Sequence, residues 1–189
     1  MRRVFWLIGA IATLSAGVAH GKECKGATFA EQTEVGGTIL ILNGLGLHQA
    51  TMLNIDAYVA ALYVPKISNE PQAILDSNSP YVLTLQLLRD VGARDINKGW
   101  KVGFDKNAKG QLGALKNRIT TLNGWMTNMK AGQRMSFSFK PGTGLEVNVN
   151  GTVKGTIEGD DFGKAFLSIS LGIQPDQDLK AGLLGATCH

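Results

Sequence analysis

Ala57-Tyr-Val-Ala-Ala-Leu-Tyr-Val64 is the stretch that decides the fold, and Pro65 ends it. The stretch is apolar on both alternating sets of positions, so both faces of a strand formed from it would be buried. A strand that is buried on both faces lies in the interior of a sheet. The stretch therefore predicts a central strand with partners on either side.

Strand patterns upstream and downstream supply those partners. Thr38–Leu42 is an apolar run too short for a helix, and a second extended segment is predicted over Leu45–Leu53 after a break at Asn43-Gly44. Downstream, Tyr81–Leu88 alternates with period two, and Arg89 at its end shares a face with three leucines. The glycines after Asn43 are expected to permit a turn or bulge where two strands meet.

The second half of the chain adds helices and more strands. Asn150-Gly151 is a strong hairpin signal between two of the predicted strands. The strands are expected at Arg134–Lys140, Leu145–Val149 and Thr152–Glu158. Helices are expected at Glu70–Leu75 after an Asn69 cap, Ile96–Phe104, Leu112–Met129, Asp160 or Asp161 to Leu171, and Asp176–Gly185. The order predicts an α+β domain, with a mainly antiparallel sheet and helices packed on one face.

Composition limits the function classes. The 189 residues are 44% hydrophobic and 18% charged, which fits one folded domain. The net charge is +4, and Arg2 and Arg3 belong to a segment expected to be removed. The remaining excess of basic residues is too small to indicate a nucleic-acid partner.

The N-terminus sets the expected compartment. A basic start, the apolar run Val4–Leu14 and small residues up to Gly21 are the layout of a secretory signal peptide. We expect residues 1–21 to be removed, leaving 22–189 as a single periplasmic or secreted domain without a membrane span. The alternatives are an uncleaved anchor, for which the apolar stretch is short, and a twin-arginine signal.

Two cysteines stand at the ends of the expected mature chain. Cys24 follows the predicted cleavage site and Cys188 is the penultimate residue. In an oxidising compartment this placement favours one disulfide that ties the termini together. The alternative is a pair of unpaired thiols on the chain ends.

The sequence offers few residues for metal or cofactor chemistry. Gly44 and Gly46 follow a strand, as in dinucleotide-binding turns, but too few residues precede the next strand to form a crossover helix. Of three histidines, His20 lies in the predicted signal peptide and His189 is the last residue. We therefore predict no metal site and no cofactor. Arg89 ends an apolar face and is expected to pair with Asp95 or with a bound carboxylate.

Several stretches together resemble the chalcone isomerase-like family in its secreted bacterial branch. They follow the family's order over about residues 36–185. These stretches are Leu42–His48, Tyr58–Lys66, Leu87–Val91, Val149–Gly155, Ile157–Phe162, Leu167–Gly172 and the Leu-Leu-Gly of 183–185. The resemblance implies an open-faced β-sandwich, in which a large antiparallel sheet is covered by a layer of helices.

The resemblance also indicates site residues. The family contains plant enzymes that close a chalcone to a flavanone, and a branch that binds fatty acids through an arginine and a tyrosine. The arginine position falls on His48 and the tyrosine position on Tyr58. The Tyr/Lys/Asn cluster of the enzymes falls on Ile96, Gly99 and Gly103, so that cluster is absent.

We therefore expect a non-catalytic protein that binds a small apolar ligand, such as a fatty acid, between the sheet and the helices. Tyr58, His48 and Arg89 are the expected ligand-binding residues. The first alternative is an isomerase or intramolecular lyase that acts on an enone, with Tyr58 and His48 as acid and base. The second alternative is an envelope interaction module whose cleft is filled by Trp100, Phe104 and Trp125.

Overall fold

The computed structural model describes residues 21–50, 55–173 and 177–188. The predicted signal peptide, apart from Gly21, lies outside these ranges. The same holds for 51–53 of the second predicted strand and for Asp176 at the start of the last predicted helix. Within the described ranges, none of the helices has the length and hydropathy needed to span a bilayer.

Nine strands and five α-helices make up the described chain. The strands are β1 (Gly21–Cys24), β2 (Ala27–Ala30), β3 (Gln32–Val35), β4 (Thr38–Ala50), β5 (Ile55–Val64), β6 (Tyr81–Leu87), β7 (Arg134–Lys140), β8 (Gly144–Val149) and β9 (Thr152–Ile157). The helices are α1 (Pro71–Asp76), α2 (Ala93–Asn107), α3 (Leu112–Trp125), α4 (Asp160–Leu171) and α5 (Gln177–Leu183). A short 3₁₀ turn at Lys109–Gln111 joins α2 to α3.

Seven of the strands form one antiparallel sheet in the order β3-β4-β5-β6-β7-β8-β9. The predicted central strand is confirmed, because β5 pairs with β4 on one side and β6 on the other. The expected α+β class with an antiparallel sheet is confirmed as well. The Asn150-Gly151 hairpin also forms, and both residues have the positive φ that this turn requires.

The main core lies between the sheet and the helices. Its aromatic centre joins α2, β7 and α4, where Trp100 packs edge-on to Phe137 and Phe166 lies 4.5 Å from Phe137 between ring centroids. Phe104 and Phe162 extend this cluster towards the start of α4. Alternate residues of β5 to β8 face the same core, which explains the period-two pattern of the β6 and β7 sequences.

A second core covers part of the other sheet face. The hairpin of β1 and β2 packs Phe29 there, and Arg134 lies over the Phe29 ring at 4.7 Å from its centroid. The Arg134 guanidinium also bonds to the Thr28 carbonyl and to the Gln86 side chain. Arg134 of the main sheet therefore holds the hairpin by contacting the Phe29 ring and the Thr28 backbone carbonyl.

The predicted disulfide is confirmed. Cys24 at the end of β1 is bonded to Cys188, which follows α5, with 5.8 Å between the two Cα atoms. The bond therefore joins the hairpin on one sheet face to the chain beyond the last helix.

The predicted break at Asn43-Gly44 is wrong. β4 runs unbroken through this point with a register shift between Leu42 and Gly44, so the expected bulge forms inside one strand. The buried Asn43 amide donates to the carbonyls of Leu183 at 2.7 Å and Ser68 at 3.0 Å, and its oxygen accepts from the Ser68 N–H. At the bulge, the Asn43 side chain therefore connects β4 to the β5–α1 loop and to α5 through hydrogen bonds.

Three helix ends also differ from the prediction. The N-cap of α1 is Glu70 instead of Asn69, and the N-cap of α4 is Gly159, whose φ of 100° favours glycine. Asp161 in the first turn of α4 forms an ion pair with Arg118 instead. The third difference is that α3 ends at Trp125 while the apolar stripe continues to Met129, which forms a β-bridge with Val91.

The buried Tyr81 hydroxyl is expected to make the fold less stable at alkaline pH. Its fully buried hydroxyl donates to the Gly163 carbonyl at 2.7 Å, and burial raises the pKa of Tyr81 well above 10. The folded state therefore holds this proton more tightly than the unfolded chain. The associated stability is present below pH 10 and is lost as the pH rises above it.

We expect the free energy of unfolding to fall less steeply above about pH 10 in Tyr81→Phe than in the native chain. At neutral pH the same variant loses about 1 kcal/mol with its hydrogen bond. Urea titrations over that range measure both effects. Parallel pH curves for the two proteins would contradict this assignment.

Candidate functional site

A cleft of about 970 Å³ opens between one end of the sheet and helix α2. The ends of β4, β5 and β6 form its floor, α2 forms its roof, and the ends of α4 and α5 close one side. Its size is that of cavities that hold small organic ligands. The apolar part of its wall includes Leu85, Leu87, Ile96, Trp100, Met135 and Ile169.

His48 and Tyr58 lie side by side on the floor. They are direct partners across β4 and β5, and Tyr58 is in turn the partner of Leu87 on β6. The two rings stack with 4.7 Å between centroids and an angle of 28° between planes. The structure therefore brings both predicted residues together on the helix-facing side of the sheet, where both line the cleft.

Helix α2 places the three positions of the missing enzyme cluster on the roof. Ile96, Gly99 and Gly103 all line the cleft, so the register inferred from the family resemblance is consistent with the structure. Gly103 has a packing reason as well, because a Cβ atom there would collide with the side chain of Ile169 on α4. This part of the roof presents hydrocarbon and backbone, without a proton donor or acceptor on its side chains.

Arg89 also lines the cleft, but its surroundings differ from the prediction. β6 ends at Leu87, so Arg89 is exposed in the turn that follows. Asp95 lines the same cleft, yet the two side chains form no ion pair in the described structure, so the other expected partner, a bound carboxylate, stays a prediction. Asp90 bonds to Lys130 at 2.7 Å, and this bond lowers the pKa of its carboxyl. The Arg89 guanidinium therefore has no carboxylate partner among the described residues.

The three rings that were expected to fill the cleft, those of Trp100, Phe104 and Trp125, lie in three different places. Trp100 contributes to the wall, whereas Phe104 packs deeper against Phe162 with 5.7 Å between centroids. Trp125 lies outside the cleft, against Gly155 of β9. Filling of the cleft by these three rings, as the interaction-module alternative expects, is therefore not found.

Several lining residues were not predicted. Met135 enters from β7, Ile169 and Ile173 from α4 and the turn after it, and Gln177 and Asp178 from α5. Their contribution depends on how α4 and α5 pack on the sheet, which no local pattern encodes. Val102, Lys98 and Lys106 on α2 could have been found, since they occupy the exposed face of a helix whose roof position was expected.

The described residues hold no cluster of side chains typical of metal ligands. No group of three or more His, Cys, Asp or Glu side chains lies close enough there to hold a metal ion. The polar lining of the cleft includes Asp90, Asp95, Asp178 and two lysines. Next to the hydrocarbon wall it also offers the phenol of Tyr58, the imidazole of His48 and the guanidinium of Arg89. These groups can hold a polar or anionic head beside an apolar body.

Fold and cleft together define an α+β protein with a ligand-sized site between an antiparallel sheet and its helices. The chain belongs to the chalcone isomerase-like family, whose model matches residues 21–185. Among solved structures it is similar to a fatty-acid binding protein of Arabidopsis thaliana, with a TM-score of 0.68 and 15% sequence identity. The match covers 85% of this chain and 92% of that one. A comparison with curated proteins finds no match.

Proposed function

We propose that this chain is a non-catalytic binding protein for a small apolar ligand with an anionic head, such as a fatty acid. The observation that carries the proposal is the cleft under α2, in which a hydrocarbon wall lies beside the stacked pair of His48 and Tyr58. This is the composition that ligand sites of this kind need. The similarity to a fatty-acid binding protein supports the same ligand class.

The head group binds near the stacked pair of His48 and Tyr58. The Tyr58 hydroxyl donates a hydrogen bond to the carboxylate, and Arg89 supplies the positive charge from the rim. Since Arg89 has no carboxylate partner among the described side chains, it can engage an anion without breaking an ion pair. The acyl chain lies against Leu85, Leu87 and Trp100.

The roof of the cleft argues against the cyclisation of a chalcone. That reaction requires a positioned phenolate and stabilisation of a developing enolate. Ile96, Gly99 and Gly103 provide neither a donor nor a base on their side chains. A fatty acid makes no such demand on these positions.

We place the protein in the periplasm or outside the cell. The basic and apolar N-terminus supports this compartment. The bond between Cys24 and Cys188 supports it independently, because disulfides persist mainly in oxidising environments.

Native mass spectrometry of protein recovered from the periplasm tests the proposal in one measurement. We expect a chain shortened by the signal peptide and a bound species that lipid extraction identifies as a fatty acid. Protein that is recovered empty and that also fails to bind added fatty acids would contradict the proposed function.

Tyr58→Phe is expected to weaken fatty-acid binding about fivefold to tenfold, because one hydrogen bond to a carboxylate is lost while the ring remains. The matched control is Tyr63→Phe. Tyr63 lies on the opposite sheet face, where its hydroxyl donates to the Ala30 carbonyl at 3.0 Å. Isothermal titration with a soluble medium-chain acid measures both variants. Equal affinities for the two would remove Tyr58 from the site.

The second candidate is an isomerase or lyase that acts on an enone. The stacking of His48 on Tyr58 favours it, since two titratable groups then face one ligand position. In that case Tyr58→Phe lowers the turnover of an enone substrate. Absence of turnover by the native chain across a panel of enones excludes this candidate.

A further inference from the structure

The mouth of the cleft carries two large apolar side chains in solvent. Val102 on α2 is 44% exposed and Ile173, in the turn after α4, is 72% exposed. Both line the cleft, from different elements of the fold. Exposed apolar side chains that gather at the entrance of a site mark a surface that contacts something apolar.

Two lysines flank the exposed valine. Lys98, Val102 and Lys106 follow one another at intervals of four along α2, so they form one stripe on its outer face. All three line the cleft, and neither lysine forms an ion pair with a described residue. One lysine therefore lies a turn before the exposed valine and the other a turn after it, on the same face of α2.

The rest of the outer face keeps this positive character. Helix α2 carries four basic residues against two acidic ones. The acidic residues are Asp95, which lies on the cleft rim, and Asp105, which bonds to Lys101 at 2.6 Å. Asp90 and Asp178 also line the cleft, from elements other than α2. The excess of positive charge is therefore concentrated on α2, next to the exposed valine.

We propose that this face docks on the surface of an anionic phospholipid bilayer and aligns the cleft mouth with the acyl layer. The face consists of Lys98, Val102 and Lys106 of α2 together with Ile173. The proposal rests on the proposed function, because docking on a bilayer serves ligand transfer only if the cleft binds an acyl chain. A fatty acid could then pass between bilayer and protein without exposing its chain to water.

The chemistry of the face fits a bilayer interface. Isolated apolar side chains insert at the boundary between headgroups and acyl chains. Lysines beside them lay their stems along that boundary and keep the ammonium at the level of the phosphates. This arrangement resembles an interfacial helix, except that the other face of α2 is already buried in the core through Ile96, Trp100 and Phe104.

Co-sedimentation with vesicles tests the proposal on the full mature chain. We expect binding to phosphatidylcholine vesicles that contain phosphatidylglycerol, and much weaker binding to phosphatidylcholine alone. The binding should weaken with added salt, since surface charges are screened. Equal binding to both vesicle types, or none to either, would overturn the proposal.

Two double variants separate the contributions. Lys98→Gln with Lys106→Gln is expected to lower the affinity for anionic vesicles about 25-fold, at about fivefold per lysine. Val102→Ser with Ile173→Ser should lower it about tenfold. The matched controls are Lys116→Gln on α3 and Val153→Ser, which is 56% exposed on β9. Neither control residue lines the cleft, so both should leave vesicle binding unchanged. Controls that weaken binding as much as the variants would overturn the proposed face.

A soluble medium-chain acid distinguishes failure of the docking surface from failure of the proposed function. Titration of the native chain with this acid in vesicle-free buffer tests the proposed function independently of the bilayer. If the acid binds but the vesicles do not, the docking surface is wrong and the proposed function stands. If the vesicles bind through this face but no acid binds, the proposed function is wrong and the docking surface stands without its transfer role.

Discussion

Reduction of the Cys24–Cys188 bond is expected to lower the free energy of unfolding by about 4–5 kcal/mol. The bond closes a loop of 164 residues, which is nearly the whole described chain. The gain from a disulfide in the chain-entropy model grows with the length of the loop that it closes. Since single domains are stable by only about 5–15 kcal/mol, this loss should be visible as a large drop in Tm.

Thermal unfolding with and without a thiol reductant measures the effect. The double variant Cys24→Ser with Cys188→Ser should unfold like the reduced native chain and should not respond to reductant. It controls for effects of the reductant elsewhere. A reduced native chain with an unchanged Tm would show that the bond contributes nothing to stability.

The centre of the fold could be predicted from local patterns because those patterns are strong there. β5 is apolar on both faces, β6 and β7 alternate, and Asn150-Gly151 dictates a hairpin. Each of these signals comes from a few consecutive residues and depends on backbone geometry or burial alone. The antiparallel sheet follows from them without knowledge of the packing.

The periphery could not be predicted in the same way. The hairpin of β1 and β2 has four-residue strands, and its turn uses Lys25 at positive φ, which no composition rule indicates. Its stability comes from Phe29, Arg134 and the disulfide, which are all contacts between distant parts of the chain. The Gly36-Gly37 pair between β3 and β4 is a turn signal that the sequence does carry. In the structure both residues have the positive φ that such a turn uses.

The candidate site divides along the same line. His48 and Tyr58 could be placed from strand register and family resemblance, because neighbouring antiparallel strands fix which residues are partners. The Arg89–Asp95 ion pair does not form, because β6 ends two residues before Arg89 and strand parity no longer directs its side chain. The other expected partner, a bound carboxylate, stays a prediction. Ile173 and Met135 reach the cleft only through tertiary packing, and sequence spacing does not contain that information.

Gly46→Ala is expected to destabilise the protein by about 3 kcal/mol, which is a large effect for one methyl group. A Cβ atom at Gly46 would collide with the Leu179 carbonyl, and one at Gly44 would collide with the Gly182 carbonyl. The obstacle is backbone on both sides, so no rotamer change can relieve it. Helix α5 would have to move away from β4.

That movement connects stability to the site. His48 lies two residues after Gly46 on the same face of β4, and α5 contributes Gln177 and Asp178 to the cleft wall. We therefore expect Gly46→Ala to weaken fatty-acid binding together with stability. Urea unfolding and titration with a medium-chain acid measure the two losses on the same preparation.

Gly113→Ala is the matched control for this prediction. Gly113 lies in α3 and is exposed, and nothing stands within 4 Å of a Cβ atom placed there. Alanine has the higher helix propensity, so the control should be neutral or more stable by up to about 1 kcal/mol. If Gly46→Ala behaved like this control, glycine at position 46 would be dispensable to the β4–α5 contact. If Gly46→Ala were destabilised but kept the native affinity for the medium-chain acid, the position of α5 would not matter for ligand binding in the cleft.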